Sequence, residues 1–285
     1  MTSEIPFSHN LDKRGDGDIM KWIFPAAHGK ETRGKNERER MSEMTVSAPY
    51  RLYGYPNLLL IAAAVVPAVL LMLYVYKKDR LEKEPKGLLL TLVIQGIVST
   101  SLAVYAERLG TRLLLSALDQ ESVWFQLIFN FLIVGLSEEG FKYLLLYRRT
   151  WRSPHFNCQF DAVVYAVFVS MGFALWENIE YVVMYGFGTA VVRALTAIPG
   201  HACFGVFMGA WYGLARAHEN KGNQQYSRIC RRMAVISPAL LHGLYDFIAT
   251  VDETRRAVWF LAFILLLFAF TALIVRRLSA RDKYI

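Results

Sequence analysis

The chain has 285 residues, a formal charge of +8, three cysteines and 54% hydrophobic residues at a mean hydropathy of +0.28. A soluble domain of this length buries its core with fewer apolar residues. The surplus falls in runs of about twenty residues between short charged segments, which is the pattern of a polytopic helical membrane protein, and the short alternating segments of an outer-membrane barrel are missing. The charge does not read as a nucleic-acid surface, because the basic residues sit in an amino-terminal tail and in the connections, where they set topology and meet anionic lipid. Cys158, Cys203 and Cys230 are far apart and form no CxxC pair, so neither a disulfide framework nor a structural zinc site is read from them.

Residues 1–50 form a polar tail of mixed charge, too poor in apolar surface to offset the entropy of ordering, and local disorder is the expected state. The tail lacks the apolar core and cleavage site of a signal peptide. Residues 51–285 form the membrane domain, an all-α bundle of about seven spans near 57–76, 87–107, 124–147, 160–185, 191–215, 233–250 and 257–275. No internal repeat of the transporter kind is visible.

Lys and Arg concentrate in alternate connections: Lys77 to Lys86, Arg148 to Arg152, Arg216 to Arg232, and the tail from Arg276. Counted over short loops, this places the amino terminus outside and the carboxyl terminus in the cytoplasm. The basic tail opposes that orientation, and a start at Met41 or Met44 removes the conflict, leaving Arg51 as the only basic residue before the first span.

Four spans carry ionisable residues. The third, FNFLIVGLSEEGFKYLLLY, places Glu138, Glu139 and Lys142 in hydrocarbon, where each charge costs roughly 2.5–3.5 kcal/mol on insertion scales. Lys142 follows the two Glu by four and three residues, so it reaches either on one helix face. One Lys cannot neutralise two Glu, which leaves a carboxyl free to take or give a proton. In the fourth span Glu177 lies ~25 Å along the helix from the inner end at 1.5 Å per residue, one turn after Phe173 and next to Asn178, with Glu180 nearer the surface. The fifth carries His201 after Pro199 and Gly200, which are expected to break the helix. Its Gly205 and Gly209 form a GxxxG suited to close helix packing. The sixth pairs His242 with Asp246 four residues on, so that a carboxylate can orient an imidazole. This set activates a water either by carboxylate and imidazole alone or through a bound divalent metal such as zinc. Ser137 and Cys203 stand in no nucleophile motif. The same residues inside a bundle would also serve a proton- or ion-coupled transporter, and a purely structural membrane protein is the third alternative.

Five segments in order, YKKDRLEKEP, EEGFK, FALWE, RALTAIPGHA and HGLYDF, make the region from about 70 to 250 resemble the PrsW family of bacterial intramembrane proteases, within the wider group that includes the CAAX prenyl endopeptidases. The latter would show His at the Glu177 position and Asn at the Asp246 position. The resemblance implies peptide-bond hydrolysis of a membrane-anchored protein in the bacterial cytoplasmic membrane. The expected substrate is an anti-sigma factor, cut first on the extracytoplasmic side in a cascade of regulated proteolysis. The family's acidic pair falls on Glu138 and Glu139 and its principal histidine on His242; Glu177, His201 and Asp246 complete the candidate site. No cofactor is implied with certainty.

Overall fold

The computed structural model describes residues 58–250 and 253–285. The tail expected to be disordered, and with it the starts at Met41 and Met44, lies outside the described residues. The described chain is helical throughout apart from short connections: α1 Leu58–Lys78, α2 Lys86–Ala117, α3 Val123–Ile128, a π-helical segment Phe129–Gly135, α4 Leu136–Thr150, α5 Asp161–Tyr185, α6 Phe187–Leu195, α7 Ala197–Asn220, α8 Gln224–Thr250 and α9 Glu253–Ala280.

The centre of the bundle is α5. Every residue from Asp161 to Ala174 is buried, so this stretch has no lipid face. It packs on α7, α2 and α1; α8 packs on α7, α4 and the π segment, and α9 closes against α7 and α8. Small residues permit the closest of these approaches. A Cβ on Gly209 of α7 would stand 2.5 Å from Val163 Cα, and one on Gly172 of α5 would stand 2.1 Å from the Val93 carbonyl oxygen. Both are closer than non-bonded atoms pack, and a Cβ on Gly205 would stand 2.8 Å from Ser170 Oγ, so the expected role of the GxxxG pair in helix contact holds. The outer faces carry exposed Leu70, Leu90, Leu113, Val183, Leu195, Leu266 and Phe270, as a lipid-facing surface requires.

Five helical stretches are long and apolar enough to cross a membrane: Ile61–Lys78, Lys86–Ala117, Asp161–Tyr185, Phe187–Asn220 and Ala257–Ala280. The third and sixth expected spans are helical too, over Val123–Thr150 and Gln224–Thr250, but they are not in that set. Several boundaries move, the start of the sixth span from 233 to Gln224 among them. The second span runs to Ala117 and not to 107, so Glu107 lies well inside a helix. The break in the fifth span falls at Thr196 (φ −121°, ψ −70°), between α6 and α7. Pro199 and Gly200 sit in the first turn of α7, where a missing proline N–H costs nothing because that donor has no helical partner anyway.

The basic connections gather at one end of the bundle. There Asn157 Nδ2 donates to Glu82 Oε1 at 2.6 Å, Ser279 Oγ donates to the Lys78 carbonyl at 2.5 Å, and the Gln159 amide donates to the Lys283 carbonyl at 3.1 Å. Trp151, Phe156, Tyr165 and Tyr212 stack and edge against one another just inside that end.

Candidate active site

The four ionisable spans meet at one place. On α4, Glu138 is 6% exposed and Glu139 and Lys142 are fully buried; on α7, His201 is 4% exposed; on α8, His242 is 5% and Asp246 7% exposed. The two carboxylates project from the first turn of α4, directly after the π segment. Glycines at the contact let α8 lie close against this stretch: a Cβ on Gly135 would meet the Ala239 carbonyl at 2.6 Å, and one on Gly243 would meet Phe131 Cα at 2.8 Å. At 1.5 Å per residue, Glu138 stands ~15 Å along α4 from Arg148, and His201 ~22 Å along α7 from Arg216. The cluster is therefore at membrane depth, well away from the basic end.

Lys142 Nζ lies 2.7 Å from Glu139 Oε1, 3.2 Å from Glu138 Oε2 and 3.1 Å from His201 Nδ1, and 3.8 Å over the centre of the Phe173 ring. An ammonium only donates, so His201 Nδ1 accepts and its Nε2–H points to Glu177 Oε2 at 2.9 Å. Glu177 Oε2 is in turn 2.8 Å from the Arg193 guanidinium. Arg193 Nε donates to Asn178 Oδ1 at 3.0 Å, and Asn178 donates to the Ala64 carbonyl at 3.0 Å. On the other side, His242 Nδ1 donates to Glu139 Oε1 at 3.1 Å and lies 3.7 Å from Glu138 Oε2. His242 Nε2 faces Asp246 Oδ2 at 3.5 Å, longer than an ordinary hydrogen bond. Phe204 stacks on the His242 ring, with centroids 4.8 Å apart, and the two imidazoles meet edge to face at 5.2 Å.

All six expected residues thus join one network. Among the described residues Asp246 meets it through His242, and Glu177 through His201 and Arg193. Sequence reasoning placed Arg193 in a motif but gave it no role, and it left out Glu107. Glu107 lies within electrostatic reach of Glu138, Glu177, His242 and Asp246, with Oε1 buried and without a hydrogen-bond partner. Its signal was weak, a Glu at the expected end of a span, where an interfacial charge is ordinary. Cys203 is buried in an apolar cluster with Phe204 and Phe260, as packing requires.

One ligand atom from each of Glu138, Glu139, His201 and His242 lies within 4.8 Å of the others. Two carboxylates and two imidazoles are a donor set for a divalent transition metal. Glu139 Oε2, buried with no hydrogen-bond partner, and the unprotonated His201 Nδ1, which accepts from Lys142, are the kind of donor atoms such an ion uses. The residues present therefore fit a metal.

Residues 84–274 match the family described as PrsW family intramembrane metalloprotease. A protein named Protease PrsW from Bacillus subtilis (strain 168) is 33% identical over 192 residues, covering 67% of this chain and 83% of that protein. Proteins of the same name from Oceanobacillus iheyensis and Clostridioides difficile (strain 630) are 31% and 29% identical, covering 66% and 72% of this chain and 82% and 84% of theirs. No solved structure matches the chain.

Proposed function

The chain belongs to the PrsW family of intramembrane proteases, and from that premise we propose that its buried Glu–His cluster hydrolyses a peptide bond of a membrane-anchored protein. The observation that carries this reading is the convergence of Glu138, Glu139, His201 and His242 from three separate helices onto a region less than 5 Å across. A transporter relay has no need of so compact a donor set.

In this reading the two acidic residues divide the work. The Glu138 side chain keeps 8% of its surface, whereas that of Glu139 keeps none. Glu138 therefore meets the attacking water and takes its proton as general base. Glu139 accepts from Lys142 and His242 at one oxygen and fixes both. His242, between the Glu pair and Asp246, carries the proton towards the leaving amine. His201, held by Glu177, stands beside the position where the oxyanion would form. Glu177, Arg193 and Asp246 are positioning residues. Glu138, Glu139, His201 and His242 would hold a divalent metal such as zinc, which when bound polarises the scissile carbonyl and acidifies water.

The substrate we favour is a single-span anti-sigma factor, cut first in a signalling cascade. The basic end, where four Arg- and Lys-rich segments meet, is the cytoplasmic end, and the amino terminus lies outside. The site, nearer the opposite end, then cuts on the extracytoplasmic side. Reporter fusions to the carboxyl terminus test this orientation: a cytoplasmic reporter signal agrees with it, and an extracytoplasmic signal overturns it.

The experiment that tests the function is co-expression in bacterial membranes of wild type, E138Q and H242A with single-span anti-sigma factors of the same genome. Truncation by wild type alone is expected. Equal truncation by the variants would remove the cluster from the chemistry.

A further inference from the structure

The cluster that fits a metal already contains a cation. Lys142 Nζ is bonded to three of the four residues that would hold the ion, through Glu138 Oε2, Glu139 Oε1 and His201 Nδ1 at 3.2, 2.7 and 3.1 Å. Its three N–H groups match these three acceptors, and the Phe173 ring lies against the same ammonium. The side chain is completely buried, away from bulk solvent. Zinc bonds to such oxygen and nitrogen atoms are ~2.0–2.2 Å long. An ion bonded to these three atoms would lie within about 4 Å of Nζ on either side of them, where it would take the lone pairs that the ammonium uses and face its charge through little dielectric.

We propose that Lys142 is a resident counter-cation of the Glu–His cluster, and that a divalent metal binds only as the Lys142 ammonium leaves. The proposal rests on the reading of this cluster as a metal-competent protease site. Lys142 holds the metal-free cluster assembled, because without it two adjacent carboxylates would face each other in hydrocarbon. It also sets a threshold for metal loading, since the incoming ion must displace three charge-assisted hydrogen bonds. Glu177, also within electrostatic reach of Lys142, offers the ammonium a place to go once His201 turns to the metal.

The test measures zinc affinity directly, on the purified full chain in detergent micelles, by competition with a chromophoric chelator. Wild type, K142M, K142Q and the double variant K142M/H242A are compared. K142M keeps the length of the side chain and removes the charge. The expected result is zinc bound by K142M and K142Q at least about tenfold more tightly than by wild type, in the range that neighbours of metal ligands command. Binding is expected to be lost again in K142M/H242A. A lysine with a merely structural role would lower affinity or leave it alone, so equal or weaker binding by K142M overturns the proposal while the metal site stands. If neither wild type nor K142M binds zinc above K142M/H242A, the proposal fails along with the metal, and cleavage by wild type in the presence of chelator then shows that the protease reading survives. Should both Lys142 variants fail to fold, a zinc-bound structure of wild type decides. Nζ displaced from Glu139 supports the exchange, and Nζ still bonded there beside the ion overturns it.

Discussion

Arg193 offers the sharpest test of the network's energetics. Its guanidinium is 3% exposed, 2.8 Å from Glu177 Oε2, bonded to Asn178, and 4.0 Å over the Tyr181 ring. Arg193→Met keeps the apolar stem and removes the charge, leaving the Glu177 carboxylate with only the His201 imidazole at 2.9 Å. Removing one partner of a buried pair costs about 3–5 kcal/mol, because the other charge stays buried. Glu177 retains 18% of its side-chain surface and one hydrogen bond, so the low end applies, about 3 kcal/mol. Glu177→Gln should cost a similar amount, since it strands the guanidinium. The double variant R193M/E177Q buries no unpaired charge and should recover at least half the sum of the two losses. Reversible unfolding in mixed micelles, followed by tryptophan fluorescence, measures all three. Losses that simply add in the double variant would refute the claim that Arg193 and Glu177 neutralise each other.

The acidic pair should separate in the same assays. E138Q should lower cleavage by ~10²–10⁴-fold, as loss of a general base does, with little change in the unfolding midpoint, whereas E139Q should lower both; equal destabilisation by the two would undo their assigned roles. Gly209→Val forces a side chain towards Val163 Cα, 2.5 Å from the Cβ position, and should destabilise by about 1–3 kcal/mol or more. Gly188→Ala, with nothing within 4 Å of its Cβ, should be neutral or slightly stabilising, and the contrast is read from the two midpoints. At the basic end, burial raises the Glu84 carboxyl from 4.5 to about 7 and Asp79 from 3.8 to about 6. The folded state then holds protons that the unfolded state releases. Their contribution is complete below the unfolded values and is lost as pH rises through 6 and 7. Stability should therefore fall from about pH 4 to about pH 7 and level off above, and E84Q should flatten that slope; an unchanged slope in E84Q would refute the assignment.

Much of this was legible before the structure, and for identifiable reasons. A charge in hydrocarbon is so costly that Glu138, Glu139, Glu177, His201, His242 and Asp246 stood out singly, and helical spacing alone tied Lys142 to the Glu pair and His242 to Asp246. What spacing could not show was which residues meet across helices. The bond from Lys142 to His201 spans fifty-nine positions and that from His242 to Glu139 spans a hundred and three. The helix break was expected at Pro199 because proline is disruptive inside a helix, yet in a first turn it disrupts nothing. Glu107 was passed over because hydropathy fades where Arg108 and Arg112 begin, although α2 continues to Ala117.

Two helices outside the set long and apolar enough to cross a membrane, α4 and α8, supply five of the polar residues of the site: Glu138, Glu139, Lys142, His242 and Asp246. On insertion scales each charge costs roughly 2.5–3.5 kcal/mol at a helix centre, so neither helix is stable in lipid with its polar face uncovered. They pack on each other, α4 also on α2 and α5, and α8 also on α7, and Glu139 is satisfied from both α4 and α8 at a single oxygen. From Asp246 through His242, Glu139, Lys142, His201, Glu177 and Arg193 to Asn178, each group reaches the next within 3.5 Å. The network to which we assign the hydrolysis is therefore also what lets α4 and α8 remain in the membrane. Neutral substitution at its centre, Glu139 or Lys142, should loosen the packing of α4 against α8. Substitution at Glu138, the more open carboxylate, should leave the bundle intact and remove the chemistry.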